Sequence, residues 1–234
     1  MKVHLLQKAI ADFTQLQLHT NQEEWYLPHS LVNRFHSEWQ QLPEKGLRAT
    51  YEHCLRSEIS NRWWKRETVD AKEIMLHLID ADPELAAIAW KDLQQPQASL
   101  EGRLSRFTYY CEQLLDIHRG LHINSIETYH QQDASMLSLY LAGLFPETYA
   151  LYPGLSTFQQ FCRAIGSPDI PKVDDLVRYM KVVSIIFSFL QKNDQYEALI
   201  QKRKPPFHNI SCIPFQITYE IVCYTASSLH PASA

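Results

Sequence analysis

No CxxC pair, no glycine-rich phosphate loop and no apolar run of membrane length occurs in these 234 residues. The five cysteines, Cys54, Cys111, Cys162, Cys212 and Cys223, are scattered. That spacing argues against a zinc knuckle or ribbon and suits a reducing compartment. The six glycines never combine into GxxxxGK[ST] or GxGxxG, which removes the sequence basis for a P-loop or a dinucleotide-binding loop. GxSxG, HExxH and an EF-hand loop are also missing. No cofactor and no metal is therefore expected. Positive charge is short as well: 22 Lys and Arg stand against 26 Asp and Glu, a formal net charge of -4. No protein-wide field would gather nucleic acid or anionic lipid, so any such contact must come from a local patch. The most apolar stretch, Val182 to Leu190, is nine residues long, where a membrane span needs roughly 20. The N-terminus MKVHLLQKAIADF alternates apolar and polar residues as an amphipathic helix does and lacks a signal-peptide core, so a cytoplasmic chain without membrane contact is expected.

Helical periodicity is abundant instead. Leu100, Leu104, Phe107, Cys111, Leu114, His118 and Leu121 repeat at steps of four and three, the mark of a helix with one buried face. Val173, Leu176, Val177, Met180, Val183, Phe187 and Leu190 form a second stripe, expected to be the central helix. Asp70 with Glu73, and Asp194 with Glu197, resemble capping boxes, and Asp82-Pro83 fits an N-cap followed by proline at the first helical position. Two-residue alternation over strand length is scarce. The pattern predicts an all-α fold, one domain over 1–234 with ten or eleven helices around a long central pair. Helices are expected near 2–18, 30–41, 45–58, 71–79, 83–94, 99–119, 133–144, 155–165, 172–191, 194–203 and 214–228. The stretch 202–209, KRKPPFHN, is the expected exposed loop.

Chemistry-bearing residues are few. His118 and His122 are four apart, but Gly120 between them is expected to end the helix, and a stripe histidine is more often packed than ligating. Arg48 to His53 and Arg203 to His208 have an arginine–histidine spacing of the kind found in some helical ribonucleases. Pro205 and Pro206 break the second, and the first is a weak alternative to a solvated helix. The most suggestive stretch is SNRWWKRE, residues 60–67, where Arg62, Lys65 and Arg66 flank Trp63 and Trp64, with Lys72 close behind. Adjacent tryptophans cannot share a face, so one is expected in the core and the other beside the basic residues. Indoles stack on bases while arginines hold phosphates. Arg103 and Arg106, three apart on the long helix, would extend this patch if that helix packs on the one starting at residue 71.

Residues 130–166 carry Leu144, Phe145 and Pro146, then Tyr149 and Tyr152, then Phe158 and Phe161. Upstream are the Trp63-Trp64 pair, Lys72 and Met75 opening a helix, and Arg103 to Phe107. Together, over about 60–228, these resemble the amino-terminal region of McrB-like AAA+ proteins of modification-dependent restriction and antiphage defence; residues 1–58 would be helices preceding it. Ala71 stands where a proline is common in that pattern, and the motor's P-loop is missing, so nucleotide hydrolysis does not carry over. The chain would be an excised amino-terminal domain or a stand-alone relative. The resemblance implies a non-enzymatic recognition role, with DNA, possibly modified DNA, as target and an AAA+ motor domain or nuclease subunit as partner. An adaptor docking a motor, a nuclease or a phage trigger protein is the alternative. Read from the residues alone, Tyr149 and Tyr152 flank the Pro153-Gly154 turn either as a structural corner or as a contact surface.

Overall fold

The computed structural model describes residues 1–20, 26–56, 63–66, 69–122, 128–203 and 213–228, with the side chains of 26–28 and of Arg66 not among them. The fold is all-α. Its helices are α1 (Val3–His19), α2 (Tyr26–Trp39), α3 (Leu42–Lys45), α4 (Leu47–Cys54), α5 (Ala71–Ala81), α6 (Pro83–Leu93), α7 (Leu100–Leu121), α8 (Ala134–Leu144), α9 (Leu155–Ala164), α10 (Leu176–Leu190), α11 (Tyr196–Arg203) and α12 (Ile213–Ser227). Among the described residues, β structure is confined to β1 (Lys65–Arg66) and β2 (Val69–Asp70), antiparallel with Lys65 opposite Asp70 and Arg66 opposite Val69.

The helix starts follow local chemistry. The Asp70 carboxylate accepts from the Lys72 and Glu73 N–H groups at 3.1 and 3.3 Å, Asp82 from Leu85 at 2.9 Å, and Ser99 Oγ from Gly102 at 3.2 Å. Each satisfies first-turn donors that a helix cannot pair internally. Several expected boundaries shift. Helix α10 begins at Leu176 rather than 172, because Asp175 accepts from Arg178 N–H at 2.8 Å and fixes the start there, leaving Val173 69% exposed outside it. Helix α4 stops at Cys54, not 58. Before α11 the turn is closed by Asn193, whose Oδ1 accepts from Gln195 N–H at 2.9 Å, where the sequence suggested an Asp194 box. Gly120 does not end α7, which runs to Leu121 with His122 at its C-cap. One glycine in the last turn lowers helix stability without breaking it.

The described residues gather into two compact units: Met1–Asn33 with Leu141–Ala234, and Arg34–Tyr140, the division falling within α2 and α8. In the first unit the central position belongs to α12, which buries every residue from Phe215 to Val222 and so favours no single face. It packs against α1, α9, α10 and α11. Helix α10, the expected centre, is one-sided: Lys181, Ser184, Ile185 and Ser188 remain exposed. Helix α12 hid this role because Gln216, Thr218 and Glu220 interrupt its apolar run, yet all three are buried. Glu220 accepts from Arg203 Nη2 at 2.6 Å and pairs with His29 Nε2, while Arg203 also donates to Gln17 Oε1 at 2.7 Å. Lys202 Nζ donates to the carbonyls of Gln17, Leu18 and Thr20 at 2.8, 2.9 and 2.9 Å, a cation placed on the C-terminal carbonyls of α1.

The second unit is built on aromatic packing. Trp90 of α6 is its hub, with ring centroids at 4.6 Å from Trp39, 4.7 Å from Tyr140, 5.3 Å from Phe107 and 5.6 Å from Tyr51. The tilted and edge-on arrangements are those that ring quadrupoles favour. Helix α7 packs on both α5 and α6, and its buried face holds Leu104, Phe107, Cys111, Leu114 and His118 as the spacing predicts. Leu121, the last stripe residue, is 62% exposed.

Candidate nucleic-acid interface

The tryptophan pair divides as adjacent residues must. Trp64 is buried, at 4% exposure, and Trp63 is half-buried. Lys65, next along, is exposed, and Lys72 in the first turn of α5 is half-buried. Arg62 lies outside the described residues, and Arg66 is placed by its strand alone. The chain returns through β2 to Asp70, and the Ala71 N–H donates to the Trp64 carbonyl at 2.8 Å, closing the hairpin at its base. This brings Trp63, Lys65 and Lys72 onto one short segment with a buried indole as its anchor.

Arg103 and Arg106 do not join it. Helices α5 and α7 do pack together, as the patch required, but both arginines turn toward α6. Arg103 is only 3% exposed, and its Nη1 donates to the Leu93 carbonyl at 3.1 Å, a cation on the C-terminal end of α6. Burial thus takes Arg103 out of the expected patch. Arg106 stays exposed but forms a two-point contact with Asp92, Nε to Oδ2 at 2.6 Å and Nη2 to Oδ1 at 3.3 Å. That bond raises its pKa and neutralises its charge locally. The spacing of three did place both on one edge; the acidic and carbonyl partners at the end of α6 determine what the edge faces.

The tyrosine corner is built as packing. Tyr152 is 1% exposed, its ring stands edge-on to Tyr179 at 5.1 Å and Phe158 at 6.2 Å, and its hydroxyl donates to Asp174 at 2.8 Å. Burial, reinforced by that carboxylate, pushes its phenol well up. Tyr149 is half-buried, edge-on to Phe145 at 6.0 Å, and its carbonyl accepts from Gln216 Nε2 at 3.2 Å. Gly154, at φ +89°, supplies the turn before α9 that a side chain would resist.

The remaining chemical candidates are engaged elsewhere. Arg48 pairs with Asp80 at 2.7 Å and Glu52 at 3.4 Å, and five residues of helix turn His53 about 140° away from it. Arg203 is buried against Glu220, and His208 lies outside the described residues. His118 stacks on His77, centroids 5.4 Å apart and 2° from parallel, and lies 4.6 Å from His122. Parallel faces do not converge their nitrogens, and no cluster able to hold a metal ion exists among the described residues. Burial pushes the thiols of Cys54, Cys111 and Cys162 up, which removes thiolate reactivity there. Among the described residues no helix is long and apolar enough to cross a membrane.

Sequence reasoning missed one polar cluster beside the hairpin. Tyr51 and Tyr140 hydroxyls meet at 2.9 Å, Tyr140 donates to Gln132 Oε1 at 2.5 Å, and Gln132 Nε2 donates to the carbonyls of Ala71 at 3.1 Å and His130 at 2.8 Å. Its only sequence signal is the polar run HQQD directly before an apolar helix, which reads as a cap; Asp133 does cap α8, accepting from Ser135 and Met136 N–H at 3.0 and 3.1 Å. No protein-family model, curated protein or solved structure matches this chain.

Proposed function

We propose that this chain is a non-enzymatic recognition module of a McrB-like restriction or antiphage defence protein, and that it contacts DNA through the segment from Trp63 to Lys72. The family part of this reading rests on the residues quoted above. The observation that carries the contact part is the split of the tryptophan pair: Trp64 anchors the segment inside, and Trp63 stays half-buried beside exposed Lys65. An indole with a flanking cation suits a base face and a phosphate. With Arg103 and Arg106 turned to α6, the interface is smaller than the sequence suggested, so binding should be weak. Fluorescence anisotropy with single-stranded and duplex oligonucleotides, modified and unmodified, tests it. Binding should weaken steeply with salt, and Lys65→Ala should reduce the salt slope by about 1. No binding at low salt to any of these would sink the reading.

A second reading, the protein-interaction adaptor, is favoured by one observation. The paired helices α6 and α7 each expose a large apolar or aromatic side chain, Ile88 at 52% and Tyr109 at 56%, and Asp92 neutralises Arg106 at their contact. In that case Tyr109→Glu should abolish association with the motor or nuclease subunit, and Lys65→Ala should leave it intact.

A further inference from the structure

The hairpin cannot hold its own position. Two strands of two residues make too little ladder to be stable alone, and an isolated hairpin in water is marginal even when longer. Its fixed points are Trp64, whose indole is buried, and Ala71, whose N–H bonds back to the Trp64 carbonyl. The Ala71 carbonyl, on the other side of the same residue, accepts from Gln132, which lies 61 positions further along the chain.

Gln132 is held with unusual completeness. Its two Nε2 protons go to the carbonyls of Ala71 and His130, and its Oε1 accepts from Tyr140. Because Tyr140 spends its proton on Gln132, it accepts from Tyr51, so the direction of every bond from Tyr51 to Ala71 is determined. Burial pushes both phenols well above their ordinary value, and the relay is neutral throughout. The backbone yields to this placement: Gln131, immediately before, adopts φ +56°, a left-handed conformation that a residue with a Cβ seldom takes. His130 contributes as well, its Nδ1 accepting from the Gln132 N–H at 3.0 Å.

We infer that Gln132 is a positioning residue for the hairpin: through Ala71 it locks Trp63, Trp64 and the two short strands to the buried Tyr51–Tyr140 pair and so presents Trp63 and Lys65 in one preorganised arrangement. The consequence for DNA rests on the reading proposed above; the positioning does not. Preorganisation raises affinity by removing the ordering cost from the binding step.

Hydrogen exchange and oligonucleotide binding on the full chain separate the two. In Gln132→Leu and in Tyr140→Phe, which keeps the ring, amide exchange over residues 63–72 should accelerate about tenfold while the amides of α7 keep their protection. Affinity for a single-stranded oligonucleotide should fall about tenfold with the salt slope unchanged, because the phosphate contacts are loosened rather than deleted. Unchanged exchange over 63–72 overturns the inference, and so does an equal acceleration in α7, which would make the relay a general core contact. Faster hairpin exchange with undiminished affinity upholds the positioning role and removes the hairpin from the DNA contact.

Discussion

The two units bury polar groups by opposite means. The unit assembled from the chain's two ends encloses charge: Glu220 is 0% exposed and Arg203 3%, with the His29 ring beside them at 1%. The unit from Arg34 to Tyr140 encloses a relay of neutral donors and acceptors, the two phenols and the Gln132 amide, and places Arg103 Nη1 on the Leu93 carbonyl. A buried charge has value only with its partner in place, because desolvation otherwise outweighs every other gain. A neutral relay costs less to break and leaves the fold standing. The first unit is thus committed to one arrangement, whereas the second contains contacts that can be loosened locally, which is where a presenting segment belongs.

Glu220→Ala should show the largest effect. It strands Arg203 and His29 without their shared carboxylate, and a broken buried pair costs about 3–5 kcal/mol. Urea unfolding followed by circular dichroism should show the loss in the midpoint; a loss no larger than that of a surface carboxylate would erase the contrast between the units. Next comes Arg103→Ala, which deletes a charged hydrogen bond to the Leu93 carbonyl within the second unit and should cost about 1.5–3 kcal/mol. Arg103→Lys should recover part of it, since the carbonyl at the end of α6 still receives a cation.

A third test uses pH. Burial lowers the pKa of His130 below its ordinary 6.5, against smaller opposing pulls from Glu112 and Asp133. The unfolded chain therefore takes up the proton first. Stability from this group is complete above pH 6.5 and falls as pH drops toward the depressed folded value, at no more than about 1.4 kcal/mol per pH unit. His130→Asn keeps an acceptor for the Gln132 N–H and removes the titration, so its stability profile between pH 7 and 5 should be flatter than that of the unaltered chain. Parallel profiles would show that His130 is solvated in the folded state.

Periodicity made most of the helices legible, since burial on one side leaves an apolar stripe at steps of three and four, as on α7. It failed on α12 for the same reason: a helix buried all round has no stripe, and Glu220 and Gln216 read as solvent-facing until Arg203, His29 and the Tyr149–Leu151 backbone are known to meet them. Caps at Asp70 and Asp82 were legible because their partners lie within three residues. The division of labour between Trp63 and Trp64 was legible as a division, though not as an assignment. The Gln132 relay was not, because its partners are 8 and 61 residues away and a glutamine before a helix looks like any other polar residue.

Arg106 gives the smallest effect and the sharpest contrast with Arg103, three residues earlier on the same helix. Its bond to Asp92 has good two-point geometry, but the guanidinium is 45% exposed, and solvent-exposed pairs contribute little because water and salt screen them. Arg106→Ala should leave the unfolding midpoint within experimental error at 0.15 M salt, where Arg103→Ala lowers it clearly. Its informative readout is binding. Deleting Arg106 frees the Asp92 carboxylate where α6 meets α7, so a partner docking on these two helices would meet an unpaired carboxylate and bind less well, while any DNA binding through the hairpin would stay as it was. A drop in DNA affinity on Arg106→Ala, with an unchanged midpoint, would instead place α7 within the nucleic-acid interface after all, with Asp92 as the competitor that the phosphate displaces.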